Sequence, residues 1–519
     1  MARGGMDPNS VSDIVIDSLV KGSNPYGGSI QKRFVNSDNL FRNLGGQLNF
    51  KHNFPKSGHE WTADVTYNKG KNESNTFTQT DSYDKSNVFN RTTNQRQAGS
   101  GENENLILQT DYVKPINDKS KYELGLRSST RTVHSANNYF YSDANGVEIP
   151  IVNQDVNYTS TDHVYAAYAT YTNRIKNFGY QMGLRAESSM YEGELPDKKQ
   201  SFTTDYPISL FPSLFLSNKI NDNNELQLNY SRRINRPGFW QLFPFIDISD
   251  PLNISEGNPA LKPEFTNSLE LSYSKIFKNR DNFITSLYFK NTNNLITRFQ
   301  EPRYVPAYKD TFLVSSYINA NSSYVTGLEL TGKNKLAKWW DLTSNINLFT
   351  SKIDLDNQPD PDQFVSYFVK INNTFKLPKN FTVQLSGDYQ SKVISSPGGS
   401  GGGGRGGGGF GGGGMFGGGG ISAAQGYVRP QWGVDAGLRF EFLKDKTAAI
   451  SLNVNDIFRT RKYSAYSASQ YFTQDSERRR DPQMARLNFS WRFGKFDAAL
   501  FKRKDTKADS NVNMENANF

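Results

Sequence analysis

Apolar and polar residues alternate one by one along many segments of the chain. In 432–440 the even-numbered residues, from Trp432 to Phe440, are all apolar, and the odd-numbered residues between them are glycine or charged. A period of two predicts β-strands with one apolar face. We identify seventeen such segments, of which those near 283 and 364 alternate less regularly. They start near residues 47, 60, 104, 121, 163, 178, 211, 224, 266, 283, 324, 339, 364, 380, 431, 447 and 484.

The predicted connections between these strands are short and long in strict alternation. The short ones are 55–59, 114–120, 174–177, 221–223, 276–282, 334–338, 378–379 and 444–446. The long ones are 70–103, 130–162, 189–210, 234–265, 292–323, 352–363, 392–430 and 457–483. Outer-membrane barrels have short periplasmic turns and long extracellular loops, whereas a soluble sandwich or propeller has no reason to keep such a rule.

A sheet with so large an apolar face must bury that face against helices, a second sheet or lipid. No segment shows a sustained helical period, so we predict an all-β, antiparallel transmembrane β-barrel in which Leu438 faces lipid and Asp435 faces the lumen. The first and last predicted strands both run inward, which gives an odd number, although bacterial single-chain barrels have an even number. At least one further strand is therefore expected upstream, with 29–35 as a candidate.

The composition agrees with a barrel. Aromatic residues make up 13% of the chain, as aromatic girdles require, and the mean hydropathy is low at −0.67 because only every second strand residue must be apolar. The chain has no cysteine, which excludes disulfides, thiol catalysis and Cys-ligated metal sites. The net charge of +9 is dispersed, and we predict no nucleic-acid binding.

We divide the chain into an N-terminal remnant at 1–40, a barrel at 41–495 and a polar C-terminal tail at 496–519. The N-terminus has no apolar core of a signal peptide. Within the barrel, 392–430 contains a glycine-rich stretch that cannot bury enough apolar surface to order itself, and its place in the alternation makes it an extracellular loop.

No residues indicate an enzyme, a metal or a cofactor. The four histidines lie near no nucleophile motif. The carboxylates of 353–363 lack the glycine and the terminal glutamate of a calcium loop, so a solvated loop is favoured there.

Seven motifs follow one another along the chain: YQMGLRAE (180–187), LFPSLFLSNKI (210–220), LNYSRRINRPGFWQLFPF (228–245), EGNPALKPEFTNSLELSY (256–273), GLEL (327–330), SLNVNDIFRTRK (451–462) and LNFSWRFGK (487–495). From about residue 40 to 495 this succession resembles the barrel of Bacteroidetes-type TonB-dependent receptors. Their order and spacing carry the resemblance more than any one of them. The resemblance implies that the seventeen strands belong to a 22-stranded barrel of the Gram-negative outer membrane, and that an N-terminal plug and a coupling motif are missing here.

The resemblance also implies a function and partners. The barrel would be the receptor and translocation part of a TonB-dependent importer for a siderophore-like, vitamin, saccharide or peptide ligand. Its partners would be outer-membrane lipid and lipopolysaccharide, the TonB energy-coupling complex through the missing plug, and a surface lipoprotein. A passive outer-membrane channel and a structural or adhesive surface barrel are the alternatives.

Candidate ligand contacts lie in two of these motifs. Arg232, Arg233 and Arg236 stand at the mouth of an outward strand, where they could attract an anionic ligand or lipopolysaccharide, or form salt bridges at the rim. Asn258 and Lys262 lie in a turn with two prolines, where an ordered loop that returns the chain to the next inward strand is favoured over ligand contact. In NDIF we expect Asp456 to cap the loop after its strand.

Overall fold

The structure is a computed structural model of the chain. It describes residues 9–16, 29–84, 86–143, 146–151, 156–244, 246, 254–279, 281–305, 310–320, 322–354, 364–395, 426–468, 473–478 and 483–493. Among these residues no helix has the length and apolar character needed to cross a membrane.

Most described residues lie in one antiparallel sheet in which each strand pairs with the next along the chain. Its strands are β1 (Asn9–Ile16), β2 (Ser29–Asn53), β3 (Glu60–Tyr83), β4 (Phe89–Asn117), β5 (Ser120–Ser142), β6 (Glu148–Pro150), β7 (Val156–Ile175), β8 (Phe178–Leu195), β9 (Gln200–Asn221), β10 (Asn224–Asn235), β11 (Glu264–Ile276), β12 (Asn282–Asn293), β15 (Ser322–Ala337), β16 (Trp340–Asp354), β17 (Val365–Leu377), β18 (Phe381–Gln390), β21 (Gln431–Phe442), β22 (Ala448–Asn455) and β25 (Met484–Trp491). The short β6 pairs with β5 alone, and β5 also pairs with β7.

Two smaller sheets and a few helical turns complete the described structure. One sheet is the hairpin of β13 (Ile296–Val305) and β14 (Asp310–Asn319). The other contains, in spatial order, β19 (Val393–Ser395), β20 (Gly426–Val428), β23 (Tyr463–Ala468) and β24 (Thr473–Arg478). The helical turns are α1 (Phe239–Leu242) and the 3-10 turns Pro196–Lys198, Pro378–Asn380 and Lys444–Lys446.

The predicted strands are confirmed, since each of the seventeen segments lies in a strand of the main sheet. The candidate upstream strand at 29–35 was wrong as a separate strand, because these residues are the start of the 25-residue β2. The additional strand is β1, which pairs antiparallel with β2 from Asn9↔Asn36 to Ile16↔Ser29. The sheet therefore begins before residue 40, and the predicted boundary there falls inside β2. The tail at 496–519 lies outside the described residues.

The short connections are confirmed as tight turns, all at one end of the sheet, but three of the long connections were wrong as loops. Residues 70–103 form the upper halves of β3 and β4 around a turn at 84–88, and β8 and β9 extend in the same way to a turn at 196–199. The 130–162 connection likewise holds the ends of β5 and β7. Beyond the membrane neither face of a strand needs to be apolar, so these polar extensions carry no period-two hydrophobic signal. Residues 396–425 of the glycine-rich loop lie outside the described residues, and β19 and β20 pair at its base.

The lower part of the sheet has one apolar and one polar face. Leu438 is 42% exposed on the apolar face, whereas Asp435 lies on the opposite face and binds Arg461. Aromatic pairs mark both ends of the apolar band, with Phe381 stacked on Phe440 near the short turns and Tyr367 stacked on Tyr389 higher up. This arrangement of an apolar band between aromatic girdles matches a membrane-spanning barrel wall.

The sheet has two edges among the described residues. One is formed by β1 and the lower half of β2, and the other by β25, whose eight residues are all exposed. In lipid every backbone polar group must be paired, so these two edges are the ones that must meet, directly or through further strands, for the barrel to close.

Candidate functional site

The strands differ greatly in height, and this shapes the extracellular mouth. β4 contains 29 residues, whereas β22 and β25 contain 8 each. At about 3.3 Å per residue β4 is about 95 Å long. A tilted strand needs only about 10 residues to cross the membrane, so most of β4 lies outside it. The upper halves of β2–β5 therefore form a tall wall above the membrane, and we call the space enclosed at this end of the sheet the vestibule.

A folded cap covers the inner side of the neighbouring strands. It consists of the described residues of 236–263 together with the hairpin β13–β14, and its segments are joined by a parallel bridge between Ser255 and Ser315. The cap contains four of the six largest apolar side chains that are fully buried in the described structure, although it lies outside the membrane part of the sheet.

Two apolar clusters attach the cap to the wall. Leu242 and Leu261 of the cap, both 1% exposed or less, pack with Ile296 against Tyr191 of β8. Phe243 packs against Tyr158 of β7 and Leu195 of β8. Strand alternation places these three wall residues on the same face as Arg185, which is the inner face. The cap is therefore folded into the mouth of the barrel and narrows it.

Burial also affects the tyrosines beneath the cap. Desolvation raises the pKa of Tyr206 to about 12 and raises the pKa of Tyr191 further above its ordinary value. The hydroxyl of Tyr206 donates to the carbonyl oxygen of Leu261 at 3.4 Å. Both phenols stay neutral at physiological pH and form part of the interface between wall and cap.

Asn258 and Lys262 shape the cap. The side-chain amide of Asn258 donates to the carbonyl of Tyr317 at 2.9 Å, and its Oδ1 accepts from the backbone N–H of Ala260 at 2.9 Å. The backbone of Lys262 forms a reciprocal pair of 2.8 Å hydrogen bonds with the side chain of Asn319, while its own side chain is exposed. These contacts join the turn to β14, as the ordered-loop interpretation requires, and Lys262 keeps its ammonium available to solvent.

Arg236 joins the cap to the inner wall. Its Nη2 donates to Oε2 of Glu187 at 2.6 Å, and its Nε donates to Ser189 Oγ at 2.9 Å. Glu187 also binds Arg185, and its side chain is only 11% exposed. This is the rim salt bridge that the sequence allowed.

The other two predicted arginines lie on opposite faces of β10. Arg232 shares the outer face with Tyr230, and its guanidinium lies 4.7 Å from the ring centre of Phe265. Arg233 is exposed on the inner face. The structure thus brings Arg236, Asn258 and Lys262 into one cap but separates Arg232 from them, and the five residues do not form one anion pocket. Ligand contact by any of them stays a prediction.

A polar cluster near the C-terminus was only partly foreseen. Asp456 is fully buried, and its carboxylate accepts from the backbone N–H groups of Thr460 and Arg461 at 2.9 and 2.8 Å, as the predicted loop cap should. Arg461 then reaches back to the inner wall, where it binds Asp388 of β18 and, at 2.5 and 3.0 Å, both oxygens of Asp435 of β21. Sequence reasoning missed Arg461, and its only signal was a basic residue shortly after the capping aspartate.

The polar and charged groups around the vestibule are able to bind a ligand. Within the described ranges no three His, Cys, Asp or Glu side chains are grouped to hold a metal ion. The vestibule offers polar walls, a folded cap and paired charges, which can recognise and retain a ligand.

Comparison with known proteins agrees with the fold. The profile of the outer membrane protein beta-barrel family matches residues 52–404 and 415–491. The fold is similar to the crystal structure of the ferric citrate transporter FecA, with a TM-score of 0.52 and 13% identity over 90% of this chain and 71% of that one. It is also similar to the ferric-catecholate import receptor Fiu from E. coli K12, with a TM-score of 0.52 and 12% identity over 93% of this chain and 77% of that one. The chain matches no curated protein sequence. Because the family profile covers most of its length, this chain belongs to the outer membrane protein beta-barrel family, whose place is the Gram-negative outer membrane.

Proposed function

We propose that the chain is the receptor and translocation barrel of an energy-coupled outer-membrane importer. The cap carries this proposal, since it narrows a vestibule that opens above a membrane-spanning wall and so provides a place where a ligand can be held before passage. The two similar structures, a ferric citrate transporter and a ferric-catecholate import receptor, support the same role. Recognition and passage need no bond-breaking chemistry, so we propose a non-enzymatic protein.

The proposed partners follow from this role. Energy would come from the TonB coupling complex through a plug inside the barrel, because the outer membrane has no energy source of its own. The apolar band would contact outer-membrane lipid and lipopolysaccharide. A surface lipoprotein is a further proposed partner, placed over the open side of the vestibule.

The experiment measures uptake in cells that express the complete native reading frame containing this chain. The probes are radiolabelled ferric citrate and a radiolabelled neutral hexasaccharide, each with and without a protonophore. We expect accumulation of at least one probe that disappears when the proton gradient is removed. Flux that is the same with and without the gradient would instead show a passive channel.

A cap variant makes the distinction sharper. Leu242→Asp places a charge in a fully buried apolar position and should detach the cap, whereas Val88→Asp changes an exposed hairpin tip and serves as the matched control. In an importer, Leu242→Asp should lower gradient-dependent uptake because the ligand is held less well. In a passive channel the same change should raise flux because the mouth is wider.

A further inference from the structure

Charge is sorted between the two faces of the tall wall. The register of β2–β5 is continuous above the membrane, so alternate residues of 35–45, 68–82, 93–105 and 133–141 all lie on the inner face. None of these inner residues is charged in the four described ranges, and most are Asn, Gln, Ser, Thr or Gly. We call this surface the amide face. Charge lies at its two ends, where Arg91 stands opposite Ser82 at the top and Arg131 stands opposite Asp162 at the base.

The outer face of the same strands carries the ions. Lys69 binds Glu102 and, at 2.6 Å, Glu104, and Lys71 binds Glu102 at 2.8 Å. Higher up, Arg96 binds Glu148 at 2.7 Å. Both faces of this part of the sheet are outside the membrane, so solubility would be served by charge on either face. The lack of charged residues in the amide face therefore points to a requirement of the vestibule.

The amide face is also flat. Gly70 lies opposite Asn103, and Gly101 lies opposite Asn72. A Cβ atom at either glycine would overlap the Oδ1 atom of the facing asparagine, so each amide lies over its partner glycine. Such a pairing lays side-chain amides along the sheet, where their donors and acceptors can meet a planar or ring-shaped molecule.

Polar groups of this face form weak hydrogen bonds that a bound ligand can replace with its own. Gln97 Nε2 makes only long contacts of 3.4 Å with Asn137 Oδ1 and Tyr139 Oη, and hydrogen bonds of that length are weak. At the top of the face Tyr141 is 40% exposed and offers an amphipathic ring.

The ligand class follows from this chemistry. Amides and hydroxyls are both donors and acceptors, as the hydroxyl groups of a sugar are. Anionic ligands are best held by Arg or Lys, which the amide face lacks between Arg91 at its top and Arg131 at its base. We propose that the amide face binds a neutral oligosaccharide that diffuses into the vestibule, and that it discriminates against anions. This inference deepens the proposed function by naming the ligand class, but binding to the wall does not depend on energy coupling.

The test is binding to the purified full chain in detergent, measured calorimetrically. The probes are a panel of neutral hexasaccharides built from glucose, mannose, galactose or N-acetylglucosamine, with hexagalacturonate and ferric citrate as anionic probes. We expect at least one neutral hexasaccharide to bind at least tenfold more tightly than either anion. Failure of all neutral probes to bind, or tighter binding of an anion, would overturn the proposal.

Matched variants locate the site. The double variant Asn72→Asp with Asn103→Asp adds two charges to the amide face, and Asn75→Asp with Asn94→Asp adds the same charges to the outer face of the same strands. We expect the inner pair to weaken neutral-sugar binding at least tenfold and the outer pair less than twofold, with both variants folded by heat-modifiability gels. Equal effects of the two pairs would refute the assignment to this face. If the sugar binds as expected but uptake is independent of the gradient, the importer proposal alone fails.

Discussion

The loop cap at Asp456 permits a quantitative test of how a polar cluster stabilises the barrel wall. Asp456 is fully buried, and its carboxylate accepts three hydrogen bonds, from the N–H and the hydroxyl of Thr460 and from the N–H of Arg461. Hydrogen bonds to charged groups contribute about 1.5–3 kcal/mol each, but they are not additive, and water can reach part of a half-buried loop. We therefore expect Asp456→Ala to lower the free energy of unfolding by about 3–4 kcal/mol.

The backbone adds to this cost in a way that a second variant separates. Asp456 has a φ of 46°, in the left-handed region that Asp and Asn tolerate better than Ala. Asp456→Asn keeps this tolerance and one acceptor oxygen, so it should lose about half as much stability as Asp456→Ala. Both variants also loosen Arg461, because the hydrogen bonds of Asp456 hold the loop from which Arg461 binds Asp388 and Asp435.

The assay is guanidinium unfolding of the barrel refolded in lipid vesicles, followed by tryptophan fluorescence. Asp222→Ala, at an exposed turn between β9 and β10, is the control and should change stability by less than about 0.5 kcal/mol. If Asp456→Ala were as harmless as Asp222→Ala, the hydrogen bonds described here would not stabilise the fold. If the Asn and Ala variants lost equal stability, the effect would come from the charge and not from the backbone.

Three further predictions concern the wall, the cap and the orientation. Leu438→Arg should cost about 2–4 kcal/mol because it places a charge in lipid, whereas Gln384→Arg on the inner face should be tolerated, and similar heat-modifiability of the two would refute the assigned faces. Leu261→Ala should remove about 2–4 kcal/mol of cap packing and speed proteolysis of the cap, while Val88→Ala should leave the cleavage rate unchanged. A cysteine at Val88 should react with an impermeant maleimide in intact cells and one at Lys119 should not, since these residues lie at opposite ends of the sheet; the reverse pattern would invert the barrel.

The structure also changes one expectation about the inner wall. Alternation alone suggests that Asp435→Arg would be tolerated, because residue 435 faces the polar lumen. Its carboxylate instead binds Arg461, so Asp435→Arg would bring two guanidinium groups together. It would also displace Arg461 from its ion pair with Asp388. This is why Gln384, which is exposed on the neighbouring strand β18, is the better control.

The sequence by itself determined the membrane part of the fold. A strand between lipid and lumen must alternate, so the seventeen segments and the opposite faces of Leu438 and Asp435 could be predicted from hydrophobic pattern alone. The tight turns at one end of the sheet could be predicted as well, because only a few residues separate the segments that they join. The capping of the loop by Asp456 was also predictable, because an aspartate that ends a strand accepts hydrogen bonds from N–H groups only a few residues away.

Only the tertiary structure decided what lies above the membrane. The tall wall is wet on both faces, so its strands lack an apolar period and were predicted as loops. The cap depends on Leu242, Leu261 and Ile296, which come from separate segments and meet only when the described residues of 236–263 fold against β13 and β8. The directions of Arg232, Arg233 and Arg236 depended on where β10 ends and on the position of Glu187 in another strand. Contacts between residues far apart in the chain leave no local pattern, and for that reason the sequence predicted the barrel wall but not the shape of its mouth.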